Sequence, residues 1–184
     1  MSVEKRLSTL ETLMAEALTH LRRLLPSTET REARYQQAVE DFKAFMMTTD
    51  EVGTNPSRLA DYLRPLLLHD PSFEISAVVY FDGRHKPLAV DVETLGPSGG
   101  SIDLQPILRK AVDVRAAAVV WAHNHHLQDQ PSKEDVETHH KLGSQLQLLG
   151  VNYLDSLIVT KKCSRTPLGY VSVNEIINAK EKED

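Results

Sequence analysis

Two histidines, His123 and His125, follow a short apolar run, and one carboxylate, Asp135, comes ten residues after the second histidine. Side chains two positions apart in an extended chain point to the same side, so both imidazoles can reach one point. Asp135 is near enough in the chain to bring a carboxylate to that point. Two histidines and a carboxylate are one of the standard ligand sets for catalytic zinc, with the fourth position left to water. The pattern therefore predicts a Zn²⁺ site at the end of a strand.

Such a site indicates hydrolysis, because zinc lowers the pKa of a bound water toward neutrality. The reaction also needs a base for the proton of that water, and a carboxylate on a nearby strand would serve. Other interpretations stay open on the residues alone. The two histidines could be ordinary polar residues at a strand end, and Ser132 and Asp135 could be the first and last members of a helix-capping motif.

The segments around these residues alternate between strand and helix patterns. Strands are predicted at 75–81, 87–93, 116–122, 151–160 and 170–173, and helices at 57–68, 103–114 and 132–149. Ser57 is predicted to cap the first of these helices, and Pro65 to end or kink it. The histidines His139 and His140 are expected on a solvated face of the last helix. The fold class that follows is α/β (α+β), a mixed β-sheet flanked by helices.

The first fifty residues predict an N-terminal helical hairpin, residues 1–50, ahead of a main domain at 57–177. The first helix carries a heptad-like apolar stripe, formed by Val3, Leu7, Leu10, Met14, Ala17, Leu21 and Leu24. The second helix has Tyr35, Val39, Phe42 and Met46 on one face. The hairpin either packs on its own domain or pairs with a second copy, giving a homodimer through the N-terminal helices. The charged tail from residue 180 is expected to fray.

Composition places the chain among ordinary globular proteins. It has 184 residues, of which 41% are hydrophobic and 26% charged, and this excludes disordered and collagen-like classes. The longest apolar run, 116–122, is far shorter than the roughly 20 residues that span a bilayer. No apolar segment follows the N-terminal charges, so no signal peptide is expected.

Net charge and cysteine content indicate which partners and which cellular compartment to expect. The net charge of -5 provides no general attraction for nucleic-acid phosphates. The single cysteine, Cys163, cannot form an internal disulfide, which fits a reducing compartment. No partner histidine lies near Cys163 in the sequence, so a nucleophilic role is not expected. These features predict a cytoplasmic protein with no membrane partner.

The chemical motif resembles the RadC-like branch of the JAB/MPN (JAMM) metalloprotease superfamily. The resemblance is carried by Glu74, by the run from Ala116 to His125 and by Pro131-Ser132-Lys133-Glu134-Asp135. The segments 74–82, 150–159 and 170–173 resemble the core strands of that family, and the similarity extends from Ser57 to Glu175. It implies a JAB/MPN fold of the cytidine-deaminase-like type.

The resemblance also implies a mechanism and a cofactor. His123, His125 and Asp135 match the zinc ligands, Glu74 the general base, and Ser132 the serine that stabilises the oxyanion. The implied function is a zinc-dependent hydrolase that cleaves a peptide or isopeptide bond, with a protein or peptide substrate such as a ubiquitin-like modifier. The alternative is a catalytically weak or inactive RadC-like binding or scaffold module, linked to DNA repair by the family's label.

Three departures from the family pattern bear on the choice between hydrolase and scaffold module. His126-Leu127-Gln128 replaces the usual Pro-Ser-Gly after the second histidine, and the loop to Ser132 is one residue shorter than usual. Ser156 stands where the family has a histidine after the aspartate. The shorter loop is the feature that favours the scaffold alternative.

Overall fold

A computed structural model describes residues 31–48, 55–69, 73–96, 102–125, 129–180 and 182. The chain divides into two compact units, 1–37 and 38–184. The described elements are five helices, α1 (Arg31–Met47), α2 (Pro56–Leu67), α3 (Leu104–Asp113), α4 (Lys133–Leu148) and α5 (Val173–Lys180), and five strands, β1 (Glu74–Phe81), β2 (Pro87–Gly96), β3 (Ala118–His123), β4 (Asn152–Val159) and β5 (Tyr170–Ser172).

The five strands form one mixed sheet in the order β2-β1-β3-β4-β5. β1 runs antiparallel to β2 and β3, β3 runs parallel to β4, and β4 runs antiparallel to β5. A parallel pair needs a crossover connection, and α4 supplies it between β3 and β4. Register places Ser76 of β1 opposite His123, the last residue of β3. The start of β1 and the end of β3 therefore meet at one edge of the sheet.

The core fills both faces of the central strands. Every residue of β3 is buried, as a continuous apolar run predicts for a strand covered on both sides. One face packs against α3 and α4 through a cluster that contains Val78, Tyr80, Ile107, Ala111, Ala116, Val119, Trp121, Leu142, Leu146 and Val151. α2 contacts β1, β3 and β4. The described helices include none with the length and apolar character that crossing a membrane requires.

The predicted fold class is confirmed, and α4 lies within one residue of its predicted bounds. α1 confirms the second predicted N-terminal helix, whereas the first helix of the predicted hairpin lies outside the described residues. α2 is capped by Asn55, whose Oδ1 accepts from the Arg58 amide, and not by Ser57. Pro65 does not end α2, which continues to Leu67 because burial of that last turn holds it in place.

The C-terminal segment departs most from expectation. β5 ends at Ser172, and α5 begins at Val173, where the sequence predicted only the end of a strand and a tail. Ser172 Oγ accepts from the Glu175 amide at 3.0 Å, and Asp155 Oδ1 accepts from the Asn174 amide at 3.1 Å. Ser-x-x-Glu is a recognisable helix start, so this helix could have been predicted from the sequence.

Candidate metal centre

The three predicted ligands lie together at the edge of the sheet where β3 ends. His123 Nε2 is 2.9 Å from Asp135 Oδ1, and His125 Nε2 is 3.1 Å from Asp135 Oδ2. The two Nε2 atoms are 3.0 Å apart. The side chains of His123, His125 and Asp135 are 2%, 6% and 10% exposed, so little of the cluster's surface is in contact with solvent. These residues form a group that could hold a metal ion.

Local structure explains how the ligands converge. His123 is the last residue of β3, and the chain continues without helix to His125, which keeps the two rings on one side. Asp135 is the third residue of α4, and its Oδ2 accepts from the backbone amide of Ser132 at 2.6 Å. The Asp135 amide in turn donates to Ser132 Oγ at 3.1 Å. This capping box orients the carboxylate toward the histidines.

The three contacts cannot all be hydrogen bonds at once. Each Nε2 carries at most one proton, and if both histidines donate to Asp135, two N–H groups face each other across 3.0 Å. A cation removes the conflict, because both Nε2 atoms and an Asp135 carboxylate oxygen can then each direct a lone pair at it. Ligand atoms around a tetrahedral zinc are about 3.4 Å apart, only a few tenths of an ångström wider than here. The donor set therefore fits a metal ion such as zinc.

Electrostatics couples the three ligands and a fourth side chain. Burial acts to raise the pKa of Asp135, but hydrogen bonds from His123 and His125 hold it well below its usual range. Burial acts to lower the pKa of His125, but the hydrogen bond and charge of Asp135, with the charge of Glu74, raise it. Glu74, two residues before Ser76 on β1, lies at the same end of the paired strands as His123.

Asn124, the middle residue of the His-Asn-His sequence, fixes the strand that carries Glu74. Its Oδ1 accepts from the Ile75 amide at 2.7 Å, and its Nδ2 donates to the Phe73 carbonyl at 3.0 Å. These two bonds lie on either side of Glu74, the first residue of β1. Asn124 is not among the residues that the sequence predicts at the site, and its position between two predicted ligands is the one sequence signal that points to it.

Ser132 is placed at the site as the cap of α4. Its hydroxyl donates to Asp135 Oδ2 at 2.7 Å, so both the Ser132 hydroxyl and its backbone amide hold the same carboxylate oxygen. The capping interpretation of Ser132 and Asp135 is confirmed. The oxyanion role implied by the resemblance stays a prediction.

The expectation of a solvated His139 is wrong. Its ring is half-buried, its Nδ1 is 3.0 Å from Ser156 Oγ, and its centroid is 5.0 Å from that of Tyr153. Burial and the neighbouring His140 lower the pKa of His139, whereas His140 itself is exposed as expected. Ser156, which stands in place of the family's histidine, thus meets a histidine contributed by α4.

Asp129, three residues before Ser132, forms an ion pair at 2.7 Å with the exposed Arg165 in the segment after β4. Residues 126–128, including His126, lie outside the described residues.

Cys163 is an exposed free thiol, and its hydrogen bond with Thr166 lowers the thiol pKa.

The segment that contains the candidate metal ligands and Glu74 is similar to known proteins. The family model for the RadC-like JAB domain matches residues 53–175, more than half of the chain. A UPF0758 protein of Acidithiobacillus ferrooxidans is 34% identical over 107 residues, which are 57% of this chain and 47% of the relative. One of Pseudomonas putida has the same identity and coverage. One of Stutzerimonas stutzeri is 32% identical over 112 residues, or 60% and 50% of the two chains. The chain spans about half the length of these relatives.

Proposed function

Because the chain belongs to the RadC-like JAB family, we propose that it is a zinc-dependent hydrolase of the JAMM type that cleaves a peptide or isopeptide bond. The observation that supports this most directly is the convergence of His123, His125 and Asp135 in a buried cluster, with contacts of 2.9 to 3.1 Å. Glu74 acts electrostatically on the same cluster. A metal-binding triad beside a carboxylate is the minimum that metal-assisted hydrolysis requires.

Each residue has a distinct task in this proposal. His123, His125 and Asp135 would hold the zinc ion, which would lower the pKa of the attacking water. Glu74 accepts the proton of the attacking water and passes it to the leaving amine. The Asn124 bonds on both sides of Glu74 keep that carboxylate at the edge of the sheet where the histidines lie.

Ser132 can serve the reaction in two ways. Its hydroxyl orients Asp135 in the arrangement described above. To stabilise an oxyanion as a hydrogen-bond donor, the same hydroxyl proton has to turn away from the Asp135 carboxylate. We propose the second role only for the stage at which a substrate carbonyl is present.

The substrate we propose is a protein or peptide, with the C-terminal tail of a ubiquitin-like modifier as one class to screen. The net charge of -5 gives no general attraction for nucleic-acid phosphates, so a nucleic-acid substrate is not favoured. The chain spans about half the length of its relatives, and the proposal concerns the chemistry of this domain.

The first test is the metal content of the purified protein, measured by elemental mass spectrometry. We expect about one zinc per chain, as for a single site of this type, and none in the His123→Ala/His125→Ala double variant. His140→Ala is the matched control, since it removes an exposed histidine of α4 outside the cluster. Absence of zinc, with no uptake at micromolar concentrations, would contradict the hydrolase proposal and favour the binding or scaffold module.

The second test distinguishes the proposed role of Glu74 as general base from the role of the three zinc ligands. Glu74→Gln keeps all three ligands, so we expect zinc content to match the wild type. Hydrolysis of peptide and isopeptide substrates that the wild type cleaves is expected to fall at least about 100-fold, the usual contribution of a general base. Full activity in this variant would exclude Glu74 as the base.

A further inference from the structure

Trp121 lies flat against the zinc-ligand candidate His123. Their ring centroids are 4.5 Å apart and the ring planes differ by only 18°. The indole is itself fixed, because its Nε1–H donates to Ser76 Oγ at 2.7 Å. Ser76 is the residue of β1 that pairs with His123 across the sheet. Trp121 and Ser76 are both buried, with 3% and 1% exposed.

Within the part of the chain that the structure describes, the ring of His123 lacks the contact that usually orients a metal ligand. A ligating histidine normally donates its second ring N–H to a carboxylate, a carbonyl or a water, and this hydrogen bond fixes the rotation of the ring. His123 Nδ1 is buried and has no hydrogen-bond partner among the described residues. The stacked indole of Trp121 can limit rotation of this ring in place of such a hydrogen bond.

We propose that Trp121 is a positioning residue for the zinc ligand His123, and that Ser76 sets the plane of the indole. This inference rests on the proposed zinc site. A donor with a single fixed direction, such as the indole N–H, holds its ring in one orientation when its acceptor is fixed. The stack then holds the His123 ring in the plane in which Nε2 reaches His125 and Asp135.

Trp121 also belongs to the apolar cluster under α3 and α4, so positioning has to be separated from core packing. Trp121→Leu removes the stack and the hydrogen bond, whereas Trp121→Phe keeps a flat ring. Ser76→Ala removes only the acceptor of the indole N–H. Val119→Ala is the matched control, because Val119 lies two positions earlier on the same face and in the same cluster, away from the ligand.

Zinc affinity, measured by competition with a chromophoric chelator, is the main readout. We expect Trp121→Leu to weaken zinc binding roughly 10- to 100-fold, the usual effect of losing a residue that orients a ligand. Ser76→Ala should weaken it by a smaller factor, about threefold or more, and Trp121→Phe, which loses the same hydrogen bond but keeps a ring beside His123, should weaken it by a similar factor. Val119→Ala should bind zinc within about twofold of the wild type although its fold is less stable.

A second readout comes from the indole itself. Trp121 is the only tryptophan of the chain, so its fluorescence should change on zinc addition and follow the binding curve obtained with the chelator. If the wild type takes up no zinc, the proposed function fails together with this inference. If the wild type binds zinc but Trp121→Leu and Ser76→Ala bind it equally well, or Val119→Ala loses as much affinity as Trp121→Leu, the positioning role alone is overturned. If Trp121→Leu does not fold, the zinc affinity of Ser76→Ala relative to the wild type decides whether the positioning role stands.

Discussion

A single carboxylate at the start of α4 links the fold of the helix to the chemistry of the site. Both oxygens of Asp135 contact histidines, and Oδ2 also accepts two hydrogen bonds from Ser132. Hydrogen bonds to an ionised carboxylate favour its charged form, and together with the histidines they keep the pKa of Asp135 low against the effect of burial. Ser132, which caps the helix, therefore also helps to orient the Asp135 ligand and to keep it ionised.

Ser132→Ala tests this coupling at the scale of one hydroxyl. We expect zinc affinity to fall roughly 10- to 100-fold, since Asp135 loses one of its orienting donors. The free energy of unfolding should drop by about 1 kcal/mol from loss of the helix cap. Chelator competition and urea denaturation measure the two effects separately.

Ser144→Ala is the control, because Ser144 is an exposed serine of the same helix whose hydroxyl bonds only to backbone carbonyls of that helix. It should leave zinc affinity unchanged. A different result for Ser132→Ala, with normal zinc affinity but hydrolysis lost at saturating zinc, would assign the hydroxyl to the oxyanion and not to the ligand.

At the scale of elements, the pairing of β1 with β3 brings the proposed base to the ligands. The strands pair from Ser76 opposite His123 to Phe81 opposite Ala118. Beyond the last pair, Asn124 continues the connection, because its backbone amide donates to the Ile75 carbonyl at 3.3 Å and its side chain bonds to both neighbours of Glu74. An amide side chain thus extends the ladder past the end of the strand.

Asn124→Ala should uncouple the base from the metal centre. We expect zinc content to stay at the wild-type level, since Asn124 is not a ligand, while hydrolysis falls at least about tenfold because the start of β1 loses both side-chain bonds. The free energy of unfolding should fall by about 1–3 kcal/mol, the cost of leaving buried backbone groups without partners.

Zinc content, substrate cleavage and chemical denaturation of the same preparation distinguish these effects. Asn152→Ala, at the exposed first residue of β4, serves as the comparison and should alter none of the three. Loss of zinc together with activity in Asn124→Ala would mean that Asn124 acts on the neighbouring histidines and not on Glu74.

The sequence was sufficient to predict what depends on local pattern. The apolar run of β3 and the two-residue spacing of His123 and His125 predict a strand that ends in two rings on one side, and that arrangement is present. The capping pattern of Ser132 and Asp135 predicts the start of α4 within one residue. Each of these features is set by residues that are near one another in the chain.

Features that depend on distant partners could not be predicted in this way. The bond from Ile75 to Asn124 joins residues 49 positions apart, and it exists only because β1 lies beside β3. His139 has polar neighbours in sequence, yet Ser156 and Tyr153 of β4 cover it once α4 packs on the sheet. From the sequence, Trp121 likewise has the pattern of a core residue, and its stack on His123 is visible only in the structure.

At the scale of the whole molecule, the proposed site draws on three elements. His123 ends β3, Asp135 lies in the first turn of α4, and Glu74 begins β1. A zinc ion held by β3 and α4 binds the folded chain, while the unfolded chain has no preformed site. Metal binding and global folding must therefore be linked.

Zinc should accordingly stabilise the chain against unfolding. At free zinc about 100 times the dissociation constant, the free energy of unfolding should rise by about 2.7 kcal/mol if the unfolded chain does not bind zinc. For a chain of this size that corresponds to a rise in Tm of roughly 5–11 °C. Differential scanning fluorimetry with and without zinc measures the shift, and a strong chelator should reverse it. His140→Ala should respond as the wild type does, and the His123→Ala/His125→Ala variant should not respond. An equal rise in that double variant would place the zinc on other side chains and separate the stability effect from the proposed site.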